Sequence, residues 1–319
     1  MANSTASYND KTDGIIAGLI IGALGAFGCS VNLYVITQMV RKSSFHNAFG
    51  YICVSHLISD TVVLGINIIW AAPASFLYFD DSITKSFAGA RLGQLALLCW
   101  YSSTYSQLQI AINRFAAITL PFRYSDLFSE RNLLLFISSS WIISIAHVIV
   151  VSWDECSFTF DADSFTWVYP ETSCATIVSF YFDFLQGVIV VAVLFVMNTA
   201  TFIIIQKKAK VAKGLQQINA VNSKKEALHL RRNIRLYVQG CMMACSLASI
   251  TFSFHVITRF VTTKWEMFAA VTVMWEIAHT ADGLIALAFN ENLNCGVFKS
   301  SSKGTIGTQI TVITASMRK

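Results

Sequence analysis

The stretch LGQLALLCWYSSTYSQLQIAINRF, Leu92–Phe115, runs for 22 residues without an Asp, Glu, Lys or Arg before it reaches Arg114. At about 1.5 Å of rise per residue, such a run forms a helix of ~33 Å, enough to cross a hydrocarbon core of ~30 Å. The rest of the chain repeats the pattern. Ile15–Val40, Asn132–Val151, Phe184–Gln206 and Leu236–Thr258 are equally free of charge. Phe45–Phe79 carries only Asp60, and Met267–Asn290 only Glu276 and Asp282. Seven spans are predicted, at about 15–40, 45–72, 88–118, 132–152, 174–206, 233–260 and 265–290. A tail of residues 1–14 precedes them and another, 291–319, follows. Composition agrees, since the 319 residues are 55% hydrophobic and only 13% charged, against roughly 25% charged in soluble domains. A disordered protein is excluded and a soluble enzyme disfavoured. Three prolines, Pro73, Pro121 and Pro170, leave little to break long helices. The first run is too long for a signal-peptide core and lacks a basic flank, so it reads as a retained helix. The expected fold is an all-α membrane protein, a single seven-helix bundle without internal repeats.

Basic residues set the orientation, because cytoplasmic loops are enriched in Lys and Arg. With the N-terminus extracellular and the C-terminus cytoplasmic, 18 of the 23 basic residues fall inside, leaving Lys11, Lys85, Arg91, Arg259 and Lys264 outside. Half of the inner set lies between Lys207 and Arg235. The glycosylation sequon at Asn3 then lies on the extracellular side. Cys156 and Cys174 share the outer loop 152–173 and its border, in an oxidising compartment. A disulfide between them is expected, with two free thiols as the alternative. Cys29, Cys53, Cys99, Cys241 and Cys245 fall within spans as packing residues. Cys295, just past the last span, is a weak palmitoylation candidate.

Several residues carry a family likeness. Asn113-Arg114-Phe115 followed by Pro121 and Arg123-Tyr124 resembles the Asp-Arg-Tyr signature of rhodopsin-like G-protein-coupled receptors, and Asn32, Asp60 and Trp141 fall on the matching spans. Phe49-Gly50-Tyr51, Ser55-His56, Gly93-Gln94, Tyr181-Phe182-Asp183-Phe184, Gln239 and Trp275 resemble the nematode serpentine chemoreceptors of class X, as do outer-loop Cys156, Trp167 and Cys174. The likeness continues through His279-Thr280-Ala281-Asp282-Gly283 and Phe289-Asn290 and so covers the whole bundle. It implies a small external ligand and a heterotrimeric G protein coupling at Arg114, Pro121 and Arg123. It also implies a plasma membrane location in the cilium of chemosensory neurons, while the serines and threonines of the tail between Ser300 and Ser316 suit phosphorylation by a receptor kinase and capture by arrestin. Departures from the rhodopsin-like pattern are equally specific. Gly89 stands where the third span usually holds a disulfide cysteine, Asn113 replaces the acid beside Arg114, and the fifth, sixth and seventh spans contain no proline. Proline kinks therefore cannot supply the hinge in those helices.

Ionisable residues in lipid are costly and ask for a reason. By helix rise Asp60 lies ~21 Å above the inner end of its span and Asp282 ~26 Å below the outer end of its own, so both reach mid-bundle beside Ser103. Two carboxylates in low dielectric share a proton or hold a cation such as sodium. A single hydrogen-bonded structural acid is the alternative. Glu276 and His279, three apart, are expected to form a buried hydrogen-bond pair, with Glu276 reachable from the outer half. The Glu-x-x-His spacing of di-iron bundles needs a second copy that this chain lacks, so no metal is expected. Asp183 sits ~13 Å deep in the fifth span, and Trp100, His255, Arg259 and Trp275 fall at comparable depths. Together with Glu276 they are the candidate ligand residues, since an aromatic wall with a few convergent polar groups suits a small ligand. Gly14, Gly18 and Gly22 favour close helix packing, within the bundle or between copies.

The leading reading is a ligand-gated conformational switch that acts on lipid-embedded helices, without cofactor, catalysis or nucleic acid. A peptide or amine receptor of the same fold is the alternative. An intramembrane hydrolase is disfavoured because the membrane histidines lack His-x-x-x-His or His-Glu-x-x-His spacing. An inverted channel is disfavoured by the charge bias, and an opsin by the absence of lysine from the last span. Epitope tags at the two ends test the orientation. In unpermeabilised cells the N-terminal tag should bind antibody and the C-terminal tag should not.

Overall fold

The computed structural model describes residues 2–215, 220–290 and 293. Side chains of residues 2–10, 211–215 and 220–233 are outside the description, as are Asn3 as a glycosylation site, Cys295, the Ser/Thr-rich tail and much of the basic inner loop. Seven long helices follow one another: α1 (Ala2–Arg41), α2 (Ala48–Leu77), α3 (Phe87–Thr119), α4 (Glu130–Ser152), α5 (Ser173–Lys210), α6 (Ala220–His255) and α7 (264–289). Only five of them, α1, α2, α4, α5 and α6, are long and apolar enough to cross a membrane by length and composition alone. The other two, α3 and α7, carry polar residues on buried faces. Helix already begins at Ala2, inside the segment expected as an N-terminal tail, α2 runs on to Leu77, and α6 begins at Ala220 and ends at His255.

Local chemistry starts these helices where it is needed. Asn47, Ser86 and Thr172 accept hydrogen bonds from the backbone N–H of Gly50, Gly89 and Ala175 at the starts of α2, α3 and α5. Thr263 and Glu266 form a reciprocal capping box on α7. Between the ends, lipid forces every backbone group to bond within its own helix.

In the bundle α3 packs against α2, α4 and α5, α1 against α2 and α7, and α6 against α5 and α7. Polar staples join neighbours: Asn32 donates to the His279 carbonyl at 3.2 Å, and Trp141 Nε1 donates to Ser55 Oγ at 3.0 Å. The small-residue face of α1 is used inside the molecule. A Cβ on Gly14 or Gly18 would come within 3 Å of backbone carbonyls of α2.

At the outer end the loop between α4 and α5 forms a β-hairpin that the sequence reading left as loop. Strand β1 (Thr159–Asp161) pairs antiparallel with β2 (Thr166–Val168), with Phe160 opposite Trp167. Phe158, Phe160, Phe165 and Trp167 are buried, so the hairpin fills the mouth of the bundle. Cys156 and Cys174 are disulfide-bonded and tie the hairpin to the start of α5. The place of a third-helix tether is taken by polar contacts. Arg91 donates to the Ser152 carbonyl at 2.9 Å, and Gln94 donates to Ser152 Oγ at 2.7 Å and to the Val148 carbonyl at 2.9 Å. Gly93 lets the loop descend onto α3, because a Cβ there would stand 1.7 Å from the Phe158 carbonyl oxygen.

Three π-helical turns, Asn67–Ala71, Val178–Leu185 and Ala269–Val273, interrupt α2, α5 and α7 in their outer halves. Such widened turns gather at functional sites. Two of them hold the hairpin: Trp167 Nε1 donates to Asn67 Oδ1 at 2.8 Å, and Thr272 Oγ1 donates to the Phe165 carbonyl at 2.7 Å.

Two glycine substitutions test the hairpin's seat. Gly93→Ala should destabilise the purified protein by about 1–3 kcal/mol, as expected for an overpacked contact, and so lower its thermal midpoint. Gly65→Ala, with no atom within 4 Å of its Cβ, should leave the midpoint unchanged or raise it.

Candidate functional site

Trp100 and Ser103 stand three residues apart on α3 and mark two polar layers. In the outer layer, Leu97 and Trp100 of α3, Phe158 of the hairpin loop, Asp183 of α5, Ile250, Thr251, Phe254 and His255 of α6 and Trp275 of α7 enclose a cavity of about 30 Å³. That is room for water, not yet for an organic ligand. Asp183, in the α5 π-turn, is 8% exposed. Its Oδ1 accepts from Trp100 Nε1 at 3.1 Å, and its Oδ2 lies 3.5 Å from His255 Nε2. Beyond it a vestibule of about 300 Å³ is lined by Tyr169, Glu171, Phe184 and Arg259, and His255 borders both spaces.

Of the six candidate ligand residues, Trp100, Asp183, His255 and Trp275 thus share one cavity, while Arg259 stands in the vestibule. Glu276 lines neither space. It is fully buried, and neither carboxylate oxygen has a hydrogen-bond partner among the described residues. The expected Glu276–His279 pair does not form. Residues three apart on a helix differ by about 60° in direction, and His279 takes the side facing Asp60.

The inner layer is the mid-bundle network. Asp60 Oδ1 accepts from Ser103 Oγ and from His279 Nδ1, each at 2.7 Å. His56 Nε2 lies 3.4 Å from Asp60 Oδ2 and 3.2 Å from Asp282 Oδ2, and Gln107 Nε2 donates to the same Asp282 oxygen at 3.2 Å. All are buried. Asp60, Ser103 and Asp282 therefore gather at one level, joined by His279, which the sequence reading had paired with Glu276, and by His56, to which it gave no partner. The signal was available, since His56-x-x-x-Asp60 puts both side chains on one helix face. The two layers touch. The His279 ring lies 5.9 Å from that of Trp100 and 5.8 Å from that of Trp275, so both cavity tryptophans rest on the network.

At the inner end Arg114 is buried, with no hydrogen-bond partner for its guanidinium among the described residues. The guanidinium lies over the Phe49 ring at 5.4 Å. Gly240 of α6 makes room for it, because a Cβ there would fall 2.4 Å from Nη1. Asn113, in the place of an acid, donates instead to the Tyr124 hydroxyl at 3.0 Å. Pro121 and Arg123 are exposed on the adjoining loop, with Phe122 between them.

Comparison with known proteins places this geometry among receptors. A sequence profile described as "Serpentine type 7TM GPCR chemoreceptor Srx" matches residues 23–290. Serpentine receptor class X 45 of Caenorhabditis elegans is 26% identical over 289 residues, covering 86% of this chain and 79% of its own length. Serpentine receptor class X-43 of the same organism is 21% identical over 96% of this chain and 93% of its own. Among solved structures, squid rhodopsin superposes with a TM-score of 0.69 at 17% identity, covering 95% of this chain and 87% of its own, a likeness of fold alone.

The Trp100–Asp183 bond is testable by a double-mutant cycle. Trp100→Phe and Asp183→Ala, singly and combined and measured by thermal unfolding, should show a coupling of about 1–3 kcal/mol. Additive effects would mean that the two side chains do not interact.

Proposed function

The chain belongs to the serpentine class X family of seven-helix G-protein-coupled chemoreceptors, and on that premise we propose that it detects a small external molecule in the outer cavity and signals through a heterotrimeric G protein. One observation carries the proposal: the cavity that holds Asp183 is walled by Trp100 and Trp275, and both rings lie against His279 of the mid-bundle network. A ligand must widen this cavity to enter, and the vestibule beside His255 is its approach. Displacing either tryptophan presses on His279 and thereby on its 2.7 Å bond to Asp60, which links α7 to α2. The ligand needs only to bind better to the rearranged bundle for the equilibrium to shift. A carboxylate in an aromatic chamber favours a small, largely apolar ligand with a hydrogen-bond donor or a basic nitrogen. An amine ligand is the second reading, favoured by Asp183 itself.

On the inner side, the G protein is assigned to the exposed Pro121–Arg123 turn and to Arg114, which is buried behind it with no hydrogen-bond partner for its guanidinium among the described residues. Plasma membrane and ciliary location, and later capture by a kinase and arrestin, belong to the same proposal through family membership. Membrane lipid covers the apolar outer faces, such as Phe195 and Val196 of α5.

The test is a second-messenger reporter in cells exposed to a panel of volatile and soluble compounds. Asp183→Asn should abolish responses or raise the effective concentration at least tenfold, and Arg114→Ala should remove signalling while cell-surface expression persists. Undiminished responses in Arg114→Ala would overturn its coupling role.

A further inference from the structure

We propose that the buried guanidinium of Arg114 is one wall of a binding site for a small spherical anion of the chloride class, held between α3, α5 and α6. Nε, Nη1 and Nη2 of Arg114 all lack a hydrogen-bond partner among the described residues, although the residue is only 6% exposed. Arginine keeps its charge when buried, and an unpaired charge in a helix bundle is costly. No described carboxylate forms an ion pair with it. Asn113 beside it is uncharged and donates to the Tyr124 hydroxyl.

The Phe49 ring covers one face of the guanidinium, with 5.4 Å between the carbon Cζ and the ring centre. A ring face offsets part of the charge. It does not serve the N–H groups, which lie in the guanidinium plane and point outward from its edge. Those groups need an acceptor, and space for one adjoins Nη1. A Cβ on Gly240 of α6 would collide with Nη1, so the glycine keeps that edge open. Arg114, Gly240 and Asn198 of α5 line a cavity of about 10 Å³, with Leu194 and Met243 among its apolar walls. Asn198 brings an amide that can present its N–H groups to the same space. Gln107 lines the far end, about 10 Å along α3 from Arg114 by helix rise, and its Nε2 is committed to Asp282.

Size and charge select the occupant. The cavity takes about one sphere of water size, which suits a halide and shuts out phosphate, sulfate and organic acids. A water there would accept hydrogen bonds and leave the charge unbalanced, whereas an anion answers both needs. Apolar walls strengthen the attraction by lowering the local dielectric. Arg123, Lys207 and Lys208, exposed at the inner end, raise the concentration of anions around the entrance. An ion so held ties α3 to α5 across the gap at Gly240. It also occupies the donors assigned above to the G protein, so that its release precedes coupling, a consequence that rests on that reading.

The experiment uses the purified full-length receptor without agonist or G protein, which separates failure of the site from failure of the coupling role. The protein is exchanged into sodium gluconate, whose anion is too large for the cavity, and titrated with sodium chloride at constant ionic strength. The thermal midpoint should rise saturably, and the chlorine NMR line should broaden saturably and be restored by bromide. Arg114→Gln should weaken chloride binding by about tenfold or more, through loss of charge-assisted hydrogen bonds. Gly240→Val, which fills the space beside Nη1, should abolish it with the arginine still present. Arg41→Ala, exposed at the inner end of α1, should leave it intact. Equal midpoints in gluconate and chloride, no saturable line broadening with the wild type, or unchanged affinity in both site variants overturns the proposal. The wild-type titration and spectrum decide the question even if a variant does not fold.

Discussion

Asp60 keeps a carboxylate fully buried in the middle of a helix bundle, and the contacts that hold it tie together α2, α3 and α7. An isolated ion in such a medium would cost many kcal/mol. Here Ser103 reaches it from α3 and His279 from α7, while His56 stands one turn away on α2 itself. Each of these contacts fixes a helix rotation. The rotation that aims His279 at Asp60 also brings its ring against Trp100 and Trp275 and leaves Glu276 on another face without a hydrogen-bond partner among the described residues. The floor of the outer cavity is thus set by the demands of a charge one layer below it.

The outer end answers a different constraint, the absence of prolines and of a third-helix cysteine. In α5 and α7 π-turns supply the irregular backbone in place of proline kinks, the π-turn of α2 lies just before Pro73, and Asn67 and Thr272 of two of these turns dock the hairpin. The lost covalent tether to α3 is offset by Arg91 and Gln94, which reach Ser152 at the end of α4, and by Gly93, over which the loop backbone passes. The disulfide restrains the loop against α5 instead. At the inner end the missing acid leaves Arg114 held by the Phe49 ring and by the space at Gly240, not by an ion pair.

Much of this was legible in the sequence. Uncharged runs of bilayer length and the sorting of basic residues predict the helices and an orientation, because lipid allows few alternatives. Depth along a helix is simple arithmetic, so Asp60, Ser103 and Asp282 could be placed at one level, and Trp100, Asp183, His255 and Trp275 in one zone. Direction around the helix axis is not given by depth. That is why His279 was paired with Glu276 and not with Asp60, and why His56 was not placed in the network. The hairpin was missed for a related reason: its strands are three residues each and are stabilised by aromatic contacts to helices far away in the chain.

By itself, then, the sequence determined the number of spans, an expected orientation and the residues that lipid would not tolerate without partners, since these depend on length, polarity and charge. The tertiary structure alone decided which partners those residues take, where the helices open into π-turns and how the hairpin closes the mouth. Those outcomes depend on helix rotation and on contacts between segments remote in sequence, such as His279 with Asp60 and Trp167 with Asn67, which no local pattern encodes.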